Sequence, residues 1–301
     1  MKKIFIIAAA MICGLVSCEK VDVSDLVGDG DDATSEIGDG VGAKTKKFTF
    51  TMKGDFSDQW KAVTRGYLSA DGKDLTDVWV LDYMGDELVQ QLHQADNTAE
   101  DFGKPVMQLA YGEHHVYFVA SRGTGAVLDT DAGTIVFSRV LDTFYKDYEV
   151  NVVSTSNGNR AVTLDRVATK LRLTFTDFLP EDAAVVNVSP HTWYYGINYK
   201  TGAPCGAQTD AVTAITIPEA QRGKTGVQVS LFGFSPSAEW TTDITISSEK
   251  EDHTVLGSAT LTAAPFKANR QSDYSGPLFG SNGTMMLSLS SEWDPYYEGT
   301  W

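Results

Sequence analysis

The chain is poor in cysteine, in positive charge, in helical periodicity and in catalytic motifs, and each shortage removes a class of function. Its 301 residues hold three cysteines. Two of these, Cys13 and Cys18, sit near the N-terminus. Cys205 then stands alone in the body, so no internal disulfide is available there and the fold must rest on apolar cores. Beside Pro204 and Gly206, it reads as inert rather than nucleophilic. Lysine and arginine number 24 against 40 acidic residues. That imbalance excludes a nucleic-acid partner, because phosphate contacts need clustered cations. No Gly-x-Ser-x-Gly elbow, Walker loop or dinucleotide glycine fingerprint is present. His93, His191 and His253 lack local ligand partners, and the adjacent His114 and His115 point to opposite faces of any strand. Neither a metal, a cofactor nor an enzymatic activity is expected. Paired carboxylates such as Asp86-Glu87 and Glu251-Asp252 read as solvated turns. The Gly28-Asp29-Gly30-Asp31-Asp32 run lacks the ligand spacing of a calcium loop.

The N-terminus carries the first positive signal. Lys2 and Lys3 precede an apolar stretch from Ile4 to Val16. That stretch is too short to span a bilayer and has the order of a secretory signal. It closes on Leu15-Val16-Ser17-Cys18, which resembles the lipobox of bacterial lipoproteins. The resemblance implies that residues 1–17 are removed and that Cys18 is acylated, anchoring the chain in the outer membrane. Loss of Lys2 and Lys3 leaves 22 basic against 40 acidic residues, a net charge of −18. Acyl chains, at about 0.8 kcal/mol per buried methylene, must then hold the protein to a membrane that its charge does not favour. Residues 18–45 follow as a flexible tether rich in Asp and Gly, without aromatics. Its acidic start is similar to the export signal of surface lipoproteins in some Gram-negative anaerobes, which implies a cell-surface location.

From Phe48 onward the pattern is β. Phe48-Thr49-Phe50-Thr51-Met52 alternates apolar and polar residues. Val78 to Tyr83, His115 to Ser121, Thr134 to Leu141, Tyr148 to Val153 and Ala161 to Leu164 are further strands in the first half. Thr169 to Phe175, Val185 to Val188, Thr192 to Tyr199 and Val212 to Ile217 follow, then Val227 to Phe234, Thr242 to Ser247, Val255 to Leu261 and Thr284 to Leu289. Asp71-Gly72, Asn157-Gly158 and Ser281-Asn282-Gly283 are turn signals. Two weak helical stretches are Asp86 to Gln94 and Pro218 to Arg222. Many short strands predict an all-β fold of sandwich type. The length divides it into two domains, 46–159 and 160–301.

The order of lipobox, acidic tether, strand, arginine and β-rich body resembles the fimbrillins, the lipoprotein pilins of type V fimbriae. Thr64-Arg65-Gly66-Tyr67-Leu68, Leu75 to Val80, Asp82-Tyr83, Pro105 to Arg122 and Arg166-Val167-Ala168-Thr169-Lys170-Leu171 carry the likeness. It implies two tandem transthyretin-like Greek-key sandwiches. It also implies cleavage after an arginine, here Arg65, with loss of an N-terminal strand whose groove face would be Phe48, Phe50 and Met52. A C-terminal strand of a neighbouring subunit would refill the groove, the candidate donor face being Met285, Leu287 and Leu289. The implied partners are other fimbrial subunits and a host or bacterial surface ligand. The alternative is a surface-exposed glycan-binding lipoprotein, with Trp193 and Trp293 as sugar contacts. Arg160-Ala161 is a second arginine bond, reading as an ordinary strand start.

Overall fold

A computed structural model describes residues 44–54, 75–280 and 285–290, the last five by backbone alone. Cys18, Arg65 and Trp293 lie outside the described residues, as do the signal segment and most of the tether. All of the described residues belong to one compact unit, Ala43–Trp301.

The fold is all-β. In the first half, β1 (Thr45–Lys53), β2 (Asp77–Met84), β3 (Glu87–Gln94), β4 (Val106–Ala110), β5 (Gly112–Ser121), β6 (Val127–Asp129), β7 (Thr134–Val136), β8 (Thr143–Val152), β9 (Asn159–Thr163) and β10 (Asp165–Arg166) follow in order. The second half contains β11 (Ala168–Phe175), β12 (Val185–Pro190), β13 (Thr192–Asn198), β14 (Pro204–Thr209), β15 (Thr213–Thr216), β16 (Val227–Phe234), β17 (Trp240–Glu249), β18 (Val255–Phe266), β19 (Gln271–Gly276) and β20 (Met286–Ser290). The only helical turn among the described residues is a 3-10 turn at Glu219–Gln221, inside the stretch expected to be weakly helical.

The strands form two sandwiches. The three-stranded sheet β4-β1-β9 packs over the five-stranded sheet β10-β8-β5-β2-β3. Their shared core contains Phe48, Phe50, Met52, Val80, Met107 and Phe118. The second sandwich packs the sheet β20-β19-β11-β16-β13-β7-β6, with β14 on β13, against β15-β12-β17-β18. Its core holds Leu171, Phe175, Trp193, Val229, Ile246 and Phe266. Alternation along β2 and β5 serves both cores. Val78, Val80, Val116 and Phe118 face the first core, whereas Leu81, Tyr83, Tyr117 and Val119 join the second. Strands β2 and β5 at the centre of the five-stranded sheet are therefore covered on both faces, which explains their near-continuous burial.

Of the stretch Asp86 to Gln94, expected to be weakly helical, Glu87–Gln94 is a strand. Exposure alternates strictly along β3, a period of two. Gly85 takes a φ of +60° and, with Asp86, makes the tight turn that folds β3 back on β2. Asn157-Gly158 connects β8 to β9, but not as a hairpin. Strand β9 crosses to the other sheet and pairs parallel with β1. The stretch Thr134 to Leu141 keeps strand geometry only as far as Val136.

Candidate functional site

The site begins with an N-terminal strand placed in the middle of a sheet. Strand β1 lies between β4, antiparallel to it, and β9, parallel to it. In this sheet β4 and β9 do not pair with each other. Main-chain bonds close both sides: Phe50 N donates to Pro105 O at 3.0 Å, Thr49 N to Gly158 O at 2.7 Å, and Leu164 N to Lys53 O at 2.8 Å. The TKKFTFTMK sequence suits this place because its apolar residues fall on one face. Phe48 and Phe50 are fully buried and Met52 nearly so. Phe50 packs edge-on to Phe118 at 5.1 Å and to Tyr148 at 6.0 Å. The Arg160 guanidinium caps the Phe48 ring at 5.6 Å. Burying three such side chains contributes roughly 5–9 kcal/mol. At Gly158 a Cβ would meet the Lys47 carbonyl oxygen at 2.3 Å, so the glycine permits the close approach of β1 to the start of β9.

Strand β20, containing Leu287 and Leu289, is an edge strand. Among the described residues it pairs only with β19, from Gln271↔Ser290 to Ser275↔Met286. Met285, just before it, is buried. The chain entering this region is fixed by Asp177. Its carboxylate accepts the backbone N–H groups of Leu278, Phe279 and Gly280 at 3.0, 2.6 and 3.0 Å. No sequence pattern marked Asp177, because its partners lie about a hundred residues away.

Trp193 belongs to the core. It is fully buried, its indole N–H donates to Phe232 O at 3.0 Å, and Phe266 meets it edge-on at 4.9 Å. No face of the ring is open to a sugar, which corrects its expectation as a glycan contact. Arg160 lies within β9 and is engaged with β1, so the Arg160-Ala161 bond is held in a paired strand. Burial pushes the Cys205 thiol up, away from the reactive thiolate. The Arg166 segment and Arg122 have a structural role. Arg166 grips Asp142 through Nε at 2.7 Å and Nη2 at 3.1 Å, and Arg122 Nη1 reaches the same carboxylate at 3.5 Å.

The histidines all contact acids. His114 and His115 do point to opposite faces. His114 is buried, with Nδ1 2.7 Å from Asp82 and Nε2 2.8 Å from Ala110 O. His115 is half-buried and its Nδ1 lies 3.2 Å from Asp147. Glu149 lies directly across from His115 in the β5–β8 register, and the ligating atoms of His115, Asp147 and Glu149 all fall within 4.8 Å of one another. Local spacing gives no sign of this cluster, since strand pairing assembles it.

No known protein family and no curated protein matches the chain. Solved structures do. A candidate adhesin from Bacteroides ovatus is 11% identical, with 83% of this chain and 95% of that one covered and a TM-score of 0.49. A fimbrial assembly protein from Parabacteroides distasonis is 12% identical, covering 83% and 100%, at 0.47. The C-terminally truncated tip fimbrial protein Mfa3 from Porphyromonas gingivalis is 11% identical, covering 82% and 100%, at 0.45. The chain is thus similar to fimbrial and adhesin-type structures. These TM-scores are all below 0.5, so the functional reading rests on this chain's own residues.

Proposed function

We propose that this protein is a structural and adhesive subunit of a surface fimbrium, made as an outer-membrane lipoprotein acylated on Cys18 and without catalytic activity. Cleavage after Arg65 frees β1, and a C-terminal strand from a neighbouring subunit, with Met285, Leu287 and Leu289 as its groove face, takes its place. The subunit divides into sandwiches near Arg160, with β6 and β7 contributed from the first half to the second. Its partners are other fimbrial subunits and a ligand on a host or bacterial surface.

The observation that carries this reading is the position of β1. It is the first strand among the described residues, so its release requires no described strand before it to move. It is also central in its sheet, so leaving opens a slot one strand wide. Two unpaired edges and the apolar floor around Phe118 and Val80 would then face solvent. Such an opening favours β-augmentation: main-chain hydrogen bonds give affinity and alternate side chains fill the floor. Strand β20 suits a donor because, among the described residues, detaching it disrupts pairing with β19 alone.

The test is limited digestion of the full chain with an arginine-specific protease, read by intact mass and size-exclusion chromatography. The expected result is one cut after Arg65 followed by a ladder of oligomers. An uncut Arg65 bond with a persistent monomer would refute the exchange reading.

A further inference from the structure

The outer half of the β5–β8 pair carries a second arrangement of chemistry. His115 projects from β5 beside Asp147 and Glu149 on β8, all on one face of the sheet. Imidazole nitrogen plus carboxylate oxygen is a donor set for first-row transition ions, Zn2+ among them. With ligand bonds of about 2.0–2.1 Å, tetrahedral zinc spaces its donors about 3.4 Å apart. The Nδ1 of His115 and Oδ1 of Asp147 stand 3.2 Å apart. The side chains remain 42% and 35% exposed, which leaves an entry path.

Tyr117, two residues along β5 on the same face and opposite Asp147 in register, is only 8% exposed. The ring stacks beside His115 at 6.0 Å.

We infer that His115, Asp147 and Glu149 form a divalent transition-metal site, with Zn2+ the fitting ion and the Tyr117 ring stacked beside the histidine ligand. The bound ion would tie β5 to β8 on the face opposite the β1 slot. It would also neutralise part of the acidic charge there. This inference is independent of strand exchange.

The experiment is calorimetric titration of the chelator-stripped full chain with ZnCl2, then with CaCl2. One Zn2+ per chain is expected, undisplaced by excess Ca2+ because calcium prefers all-oxygen ligands. His115→Ala, Asp147→Asn and Glu149→Gln should each weaken Zn2+ binding by about tenfold or more, and Tyr117→Phe should weaken it less. Asp147 and Glu149 are partly or fully exposed, so their variants keep the test open if His115→Ala disturbs folding, which circular dichroism would reveal. Absence of binding would overturn the inference. So would unchanged affinity in folded Asp147→Asn and Glu149→Gln, or equal affinity for Ca2+.

Discussion

If β1 is held by its inward face, removing one ring from that face should loosen the slot without unfolding the second sandwich. Phe50→Ala is the sharpest perturbation. The ring is fully buried and meets Phe48 at 5.9 Å, Phe118 at 5.1 Å and Tyr148 at 6.0 Å. Truncating a buried Phe costs about 3–5 kcal/mol. A value near 4 kcal/mol corresponds to a factor of roughly 10³ in the local opening equilibrium, at about 1.4 kcal/mol per decade. Hydrogen-exchange mass spectrometry on the full chain reads that opening directly. Peptides covering β1, β4 and β9 should exchange faster by about two to three decades, whereas peptides from β12 and β17, which belong to the other core, should be little changed. Thr51→Ala is the control: it lies on the same strand but exposed, so it should move exchange by less than one decade, about 1 kcal/mol or less. Equal exchange in Phe50→Ala and Thr51→Ala would show that the inward face does not hold the strand, and the exchange mechanism would lose its physical basis.

Three other perturbations follow from the same geometry. Gly158→Ala forces a methyl group to within 2.3 Å of the Lys47 carbonyl, so the backbone must shift; protection of the β1 and β9 amides should fall, and an unchanged exchange pattern would contradict the close approach. Asp177→Ala removes a carboxylate that accepts three backbone N–H groups. The expected cost is about 2–4 kcal/mol, given that hydrogen bonds to charged groups are worth about 1.5–3 kcal/mol and partly exposed donors regain water; faster exchange confined to Leu278–Gly280 and β20 would verify it. Asp82 provides a pH test. Burial raises its carboxyl above the ordinary range, against the lowering effect of His114. The Ala110 carbonyl can only accept, so His114 Nε2 carries a proton toward it. The 2.7 Å contact between Nδ1 and Asp82 then requires a further proton between them. A group whose folded value is raised stabilises the fold below its unfolded value, near pH 4, and loses that contribution as pH rises through the folded value. Asp82→Asn should flatten the fall of Tm with pH above about 4; a steeper fall in the variant would reverse the assigned sign.

What could be read from the chain depended on whether the signal lay within one strand or between strands. Alternation in Phe48 to Met52 was legible because burial of one face of a strand imposes a period of two on consecutive residues, and the structure buries the three apolar positions. Asp86 to Gln94 misled for the complementary reason. Leucine, glutamine and glutamate are good helix formers, while its period-two exposure depends on covering β2, and such tertiary context overrides propensity. Trp193 misled because a cluster of aromatics looks alike whether it lines a core or a binding surface; only the Gly233 backbone beneath the indole and the Phe232 carbonyl that takes its proton decide between them. Contacts between distant strands left no local trace at all. His115, Asp147 and Glu149 share a face only because Gly112↔Val152 begins the β5–β8 register, and a one-residue slip would send all of one strand's partners to the other side. The same dependence strengthens the β1 proposal. The parallel pairing of β1 with β9 fixes Phe50 opposite Arg160, so an incoming strand must match both the apolar alternation and this register to fill the slot. A donor shifted by one residue would present polar side chains to Phe118, and the cost of burying them is what would give such an assembly its specificity.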